Sequence, residues 1–173
     1  MIGKQKEARE QLRGLRAILG IPCQPDDFCD KVDGSCEWIN GRKDFTHWRD
    51  TNADISTKDG RFDPVLYWVS ANPGTGKTVL AGHVVSHLKE FNLQCSQHHF
   101  HAENRTLGAF LRSMAYQMAM SNASIRDMLT RAHQDGLTFD QDDSRTIWAK
   151  IFRGCIFEAS YPVLMHCLTS EMS

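Results

Sequence analysis

The sequence has no excess of basic residues, since 20 Lys and Arg stand against 21 Asp and Glu, for a formal net charge of -1. Nucleic-acid-binding proteins usually carry a basic surplus that neutralises phosphates, so we expect no nucleic-acid partner. Apolar runs such as Val65–Val69 are far too short to span a bilayer. The charged first residues also lack the apolar core of a signal peptide. We therefore expect a cytoplasmic protein without a membrane partner.

A disulfide framework is also missing. Six cysteines are present, but their spacings match no common pattern of secreted domains. We therefore expect reduced thiols. Hydrophobic residues make up 41% of the 173 residues, which is enough for a buried core.

The hydrophobic pattern along the chain predicts two parts: a helical N-terminal lead-in and linker over residues 1–60, and an α/β domain over residues 61–173. In the lead-in we expect a helix at 4–19 and a buried aromatic segment at 36–48. In the domain, Val65–Ser70 is a short apolar run rich in β-formers, which predicts a buried parallel strand. The remaining predicted elements are a helix at 78–90, a strand at 93–100, and helices at 106–120, 122–134 and 143–158. This alternation is typical of an α/β fold with a parallel sheet flanked by helices.

The segment between the predicted strand and helix carries the chemistry. It consists of Ala71, Asn72, Pro73, Gly74, Thr75, Gly76, Lys77 and Thr78, which is a relaxed Walker A pattern with Ala in place of the first Gly. Glycines let a loop wrap closely and aim backbone N–H groups at phosphate oxygens. The lysine would reach the β- and γ-phosphates, and the Thr78 hydroxyl would ligate Mg²⁺. The motif predicts a site for ATP or GTP with Mg²⁺.

Several flanking motifs extend this pattern into a family resemblance. They are Gly34–Ile39, the pair Phe45 and Trp48, the block Tyr67–Thr78, and the helix Leu107–Gln117. Together they resemble the nephrocystin-like N-terminal region and NACHT-type domain of fungal STAND proteins, signal-transducing P-loop NTPases that include heterokaryon-incompatibility proteins. The resemblance implies a nucleotide-dependent regulatory switch that self-associates through its NTPase domain.

One part of the family pattern is not found. A Walker B strand should end in an acidic residue that positions Mg²⁺ and helps to activate water. The expected strand lies near Val163–Leu168, no Asp follows it, and Glu171 is the acid nearby. We therefore expect a member truncated before Walker B, which binds nucleotide but hydrolyses it weakly or not at all. Two alternatives stay open: a P-loop kinase or nucleotide-transferring enzyme, and a non-binding fragment that acts only as a protein-interaction domain.

Histidines offer two other candidate sites. His98, His99 and His101 lie close in sequence, but strand alternation separates the first from the other two, so we expect partly buried histidines rather than a zinc site. His83 and His87 have the i, i+4 spacing of zinc ligands but lack an intervening Glu. For this pair we expect packing at the surface or between helices.

Overall fold

The computed structural model describes residues 2–21, 34–53, 66–93, 95–100, 105–159 and 166–171. These residues are mostly helical. In chain order the elements are α1 (Ile2–Ile18), a 3-10 turn (Glu37–Ile39), α2 (Lys43–Ala53), α3 (Lys77–Glu90), β1 (Cys95–Phe100), α4 (Leu107–Ser121), α5 (Ala123–Gln134), α6 (Ser144–Ile147), a π-helix (Trp148–Ile156), a second 3-10 turn (Phe157–Ala159) and β2 (His166–Glu171). None of the helices in these ranges has the length and apolarity needed to cross a membrane.

Contacts group the chain into two units, one formed by residues 1–25 and 101–163 and the other by residues 26–100 and 164–173. This grouping does not follow the boundary near residue 60 that the sequence suggests, because α1 packs against α4 and α5. The division into a lead-in and a domain stays a prediction.

The first unit is helical, and its sequence specifies the helices clearly. Helix α4 begins after Thr106, whose hydroxyl accepts a hydrogen bond from the Ala109 amide at 3.1 Å. Asn122 caps α5 in the same way, since its Oδ1 accepts from the amides of Ser124 and Ile125. Such caps satisfy amides that have no partner inside the helix. The apolar side chains of α4 that recur at three- and four-residue spacing are buried, namely Leu111, Met114, Ala115, Met118 and Ala119.

A buried arginine joins α4 to the end of α1. The Nη1 atom of Arg112 donates to the carbonyl oxygens of Leu19 at 2.7 Å and Gly20 at 3.3 Å, and to Oε1 of Gln141 at 3.3 Å. Only 9% of this residue is exposed, and burial lowers the pKa of its guanidinium. The last carbonyls of a helix lack intrahelical donors, so Arg112 satisfies groups that would otherwise need water.

The second unit packs α2 and α3 with a parallel pair of strands. β1 and β2 align from Cys95 opposite His166 to Phe100 opposite Glu171. The core contains Ile39, Phe45, Trp48, Val84 and Leu88. The predicted burial of the aromatic lead-in is thus confirmed for Phe45 and Trp48, but it is wrong for Trp38, which is 59% exposed.

The predicted strand at Val65–Ser70 is wrong for the residues that the structure describes. Residues 66–72 have no regular secondary structure, and Leu66 and Trp68 are 83% and 78% exposed. An apolar run becomes a strand only where a neighbouring strand pairs with its backbone groups. The sheet in the described ranges has only the strands β1 and β2. The described residues therefore form an α-rich fold with one parallel strand pair. The predicted parallel sheet flanked by helices is only partly present.

Candidate functional site

The residues of the Walker A pattern form a turn that leads directly into α3. Residues 71–76 are all exposed, and α3 begins at Lys77, one residue before the predicted start. Within the turn, the carbonyl oxygen of Asn72 accepts from the Thr75 hydroxyl at 2.7 Å and from the Thr75 amide at 3.4 Å. Pro73 and Gly74 occupy the middle of this turn. The loop thus has a closed backbone conformation and a surface open to solvent.

The two glycines are needed for the backbone conformation of the loop. Gly74 has φ of 76° and Gly76 has φ of 85°, values that residues with a Cβ rarely adopt. A Cβ placed on either residue would meet no other atom within 4 Å. Packing therefore does not explain these glycines, and the space beside them is open to a ligand.

Lys77 folds back over the loop. Its Nζ donates to the carbonyl oxygens of Ala71 and Asn72, each at 3.0 Å. An ammonium group has three donors, so these two bonds leave one donor for another acceptor. The two bonds hold the positive charge of Lys77 at the turn.

The amino end of α3 has no side-chain cap. Gly76 is its N-cap residue, whereas Thr106, Asn122 and Asp143 cap α4, α5 and α6 through their side chains. The first amides of a helix have no acceptor inside the helix, and the helix dipole places partial positive charge there. The first turn of this 14-residue helix can therefore donate to an external anion.

The amino end of α3 and the carboxyl ends of both strands lie on the same side of this unit. The Leu93 amide donates to the Leu88 carbonyl oxygen at 3.1 Å, and Cys95 Sγ lies 4.0 Å from the carbonyl oxygen of Val85, so the chain runs back along α3 as β1 begins. Because β2 is parallel to β1, both strands run opposite to α3, which packs against them. β2 ends at Glu171, the acid that the sequence offers near the expected Walker B position. Ligand sites of parallel sheets lie beyond this edge.

Thr78 is half-buried in the first turn of α3. Its hydroxyl is the oxygen that the sequence assigns to Mg²⁺. Among the residues the structure describes, no group of three or more His, Cys, Asp or Glu side chains could hold a metal ion.

The histidines of α3 contact the lead-in. His83 Nε2 lies 3.1 Å from Asn40 Oδ1, and Arg49 Nη1 lies 3.2 Å from His87 Nε2. An arginine can only donate, so His87 Nε2 is the acceptor of this bond. The predicted packing of this pair between helices is confirmed. His98 and His99 are buried in β1, as expected, and His101 lies outside the described residues.

Sequence reasoning missed one contact, made by Tyr67. Its ring lies 5.8 Å from the ring of Phe45 and 5.9 Å from that of Trp48, centroid to centroid. Its hydroxyl also donates to Asp44 Oδ2 at 3.4 Å. The alternation of Leu66, Tyr67 and Trp68 could have shown that one face of this segment is buried, although not which element covers it.

Comparison with protein families identifies the class of this chain. The family model described as nephrocystin 3, N-terminal, matches residues 34–168, which is more than three quarters of the sequence. The chain therefore belongs to the nephrocystin 3 N-terminal family. Comparisons with curated proteins and with solved structures gave no significant match.

Proposed function

We propose that this protein binds a nucleoside triphosphate, ATP or GTP, together with Mg²⁺ at residues 71–78. The observation that carries the proposal is the position of Lys77, whose ammonium group is held over the turn by two carbonyl oxygens at 3.0 Å. A positive charge held in place beside uncapped helix amides favours a phosphate chain. The exposed surface of residues 71–76 leaves room for it.

Each part of the loop has a role in this proposal. The amides around Gly74 and Gly76 donate to the β-phosphate, and the first-turn amides of α3 add the helix dipole. Lys77 contacts the β- and γ-phosphates, and Thr78 provides a hydroxyl to Mg²⁺. Ala71, Asn72, Pro73 and Thr75 form the turn that supports these groups.

We expect weak or no hydrolysis. Turnover in this class of site needs an acid that positions Mg²⁺ and water, and no Asp follows the predicted Walker B strand. The proposal further includes a role as a cytoplasmic signalling switch that self-associates, which the STAND resemblance implies. The comparison that bears on this role is the match to the nephrocystin 3 N-terminal family. A phosphate-release assay addresses turnover separately from binding.

A titration with the fluorescent analogue trinitrophenyl-ATP in the presence of Mg²⁺ tests the binding site. We expect saturable binding by the natural sequence and a large loss of affinity for Lys77→Ala. Lys89→Ala is the matched control, because Lys89 is an exposed lysine near the opposite end of the same helix. Equal affinities of the Lys77 and Lys89 variants would contradict the proposal.

A further inference from the structure

We infer that α2 positions the phosphate-binding loop by holding the chain on both sides of it, and that Phe45 is the central positioning residue. The inference rests on the proposed function, because it assigns to α2 an effect on nucleotide affinity. It goes further in naming an element outside the loop that controls the loop's geometry.

The loop has two arms, and the ring of Phe45 contacts both. The arm before the loop contains Tyr67, whose ring lies 5.8 Å from Phe45 in an edge-on arrangement. The arm after the loop is α3, whose His87 ring lies 6.1 Å from the same phenylalanine. Phe45 is fully buried, so it cannot move independently of these neighbours.

Polar contacts also join α2 to each of the two arms of the loop. Asp44 Oδ2 accepts from the Tyr67 hydroxyl at 3.4 Å, which holds the first arm. Arg49 Nη1 donates to His87 at 3.2 Å, which holds the second. These contacts come from one 11-residue helix, so a displacement of α2 changes the spacing between the arms.

The first arm depends on α2 because it has no strand partner among the described residues. In a paired strand, backbone hydrogen bonds would fix the position of residues 66–70. Here the ring contacts of Phe45 and Trp48 with Tyr67 hold the segment in place. Amides must converge on a phosphate to within a fraction of an ångström, so loose arms would weaken binding without removing any ligand.

Coupling between two positions is reciprocal. If α2 sets the geometry of the loop, then nucleotide bound at the loop must stabilise α2 to the same extent. This consequence separates positioning from a general contribution to stability, because α2 supplies none of the proposed phosphate ligands. Through this coupling, nucleotide binding at the loop would change the stability of α2 in the lead-in.

The test compares two phenylalanine substitutions. Phe45→Leu removes the shared ring, and Phe152→Leu makes the same change at a residue of the other unit that is 1% exposed. We expect trinitrophenyl-ATP affinity to fall roughly fivefold or more in the first variant and to stay unchanged in the second. We also expect faster hydrogen exchange of the α3 first-turn amides in the nucleotide-free Phe45 variant.

Hydrogen exchange of the natural sequence completes the test. Mg²⁺ and ATP are expected to slow exchange in residues 43–53, although no proposed ligand lies there. If the Phe45 variant does not fold, this exchange measurement on the natural sequence is sufficient to test the inference. Binding by the natural sequence with unchanged exchange in α2, or wild-type affinity of Phe45→Leu, would overturn this inference and leave the proposed function intact. A natural sequence that binds no nucleotide would overturn both.

Discussion

Gly108 lies near the start of α4, and substituting alanine there gives a sharp test of the helical unit. A Cβ at this position would lie 2.7 Å from the backbone carbonyl oxygen of Gln141 and 3.4 Å from Cδ1 of Ile147. The first distance is too short for a carbon and an oxygen, and the obstacle is backbone. Overpacking of this kind typically costs roughly 1–3 kcal/mol. Alanine gains roughly 0.5–1 kcal/mol over glycine in a helix, so we expect a net loss of up to about 2 kcal/mol.

The matched control is Gly14→Ala in α1, where a Cβ would meet nothing within 4 Å. This substitution brings only the helix-propensity gain, so we expect it to raise the free energy of unfolding by roughly 0.5–1 kcal/mol. Urea denaturation followed by circular dichroism measures both variants. Gly108→Ala should lower the unfolding free energy while Gly14→Ala raises it. A stabilising effect of both substitutions would refute the close approach of α4 to residues 141–147.

Three further outcomes follow from the same structure. Thr106→Val removes the cap of α4 and should lower the unfolding free energy by about 1 kcal/mol in urea denaturation; no loss would contradict the Thr106 contact with Ala109. Hydrogen bonds from the Thr146 side chain and from backbone amides hold the pKa of Asp143 below its ordinary 3.8. The stability that Asp143 contributes is therefore present above pH 3.8 and is lost as the pH falls through the lower folded-state pKa. Asp143→Asn should remove this pH-dependent part of the stability in a circular dichroism titration, and an unchanged pH profile would refute the prediction. Burial raises the pKa of the Cys155 thiol, so Cys155 in the folded protein should react with iodoacetamide more slowly than half-buried Cys36. Peptide mass spectrometry measures both rates, and equal rates would contradict the burial of Cys155.

Local sequence pattern predicted most of the helices well. The spacing of apolar residues from Leu107 to Met118 gave α4 within one residue, and α6 begins after its cap Asp143, close to the predicted helix start. The glycines of the loop and the start of α3 at Lys77 were also predictable. These features depend on residues close in sequence, where periodicity, capping and backbone freedom determine the structure.

Features that depend on distant residues could not be predicted in this way. The apolar run before the loop has the composition of a strand, but its structure depends on a partner that its own residues do not specify. The packing of α1 on α4 through Arg112 joins residues more than 90 positions apart. The contacts of Tyr67 and His87 with α2 likewise arise from tertiary packing. The loop was therefore predictable, whereas the element that holds its arms was not.

The central claim is that residues 71–78 hold the phosphates of a nucleotide, and calorimetric titration of the natural sequence with ATP and with GTP in excess Mg²⁺ tests it most directly. We predict saturable binding at one site per chain for at least one nucleotide, with inorganic pyrophosphate competing for that site. A correctly folded protein that shows no saturable heat with either nucleotide would contradict the account.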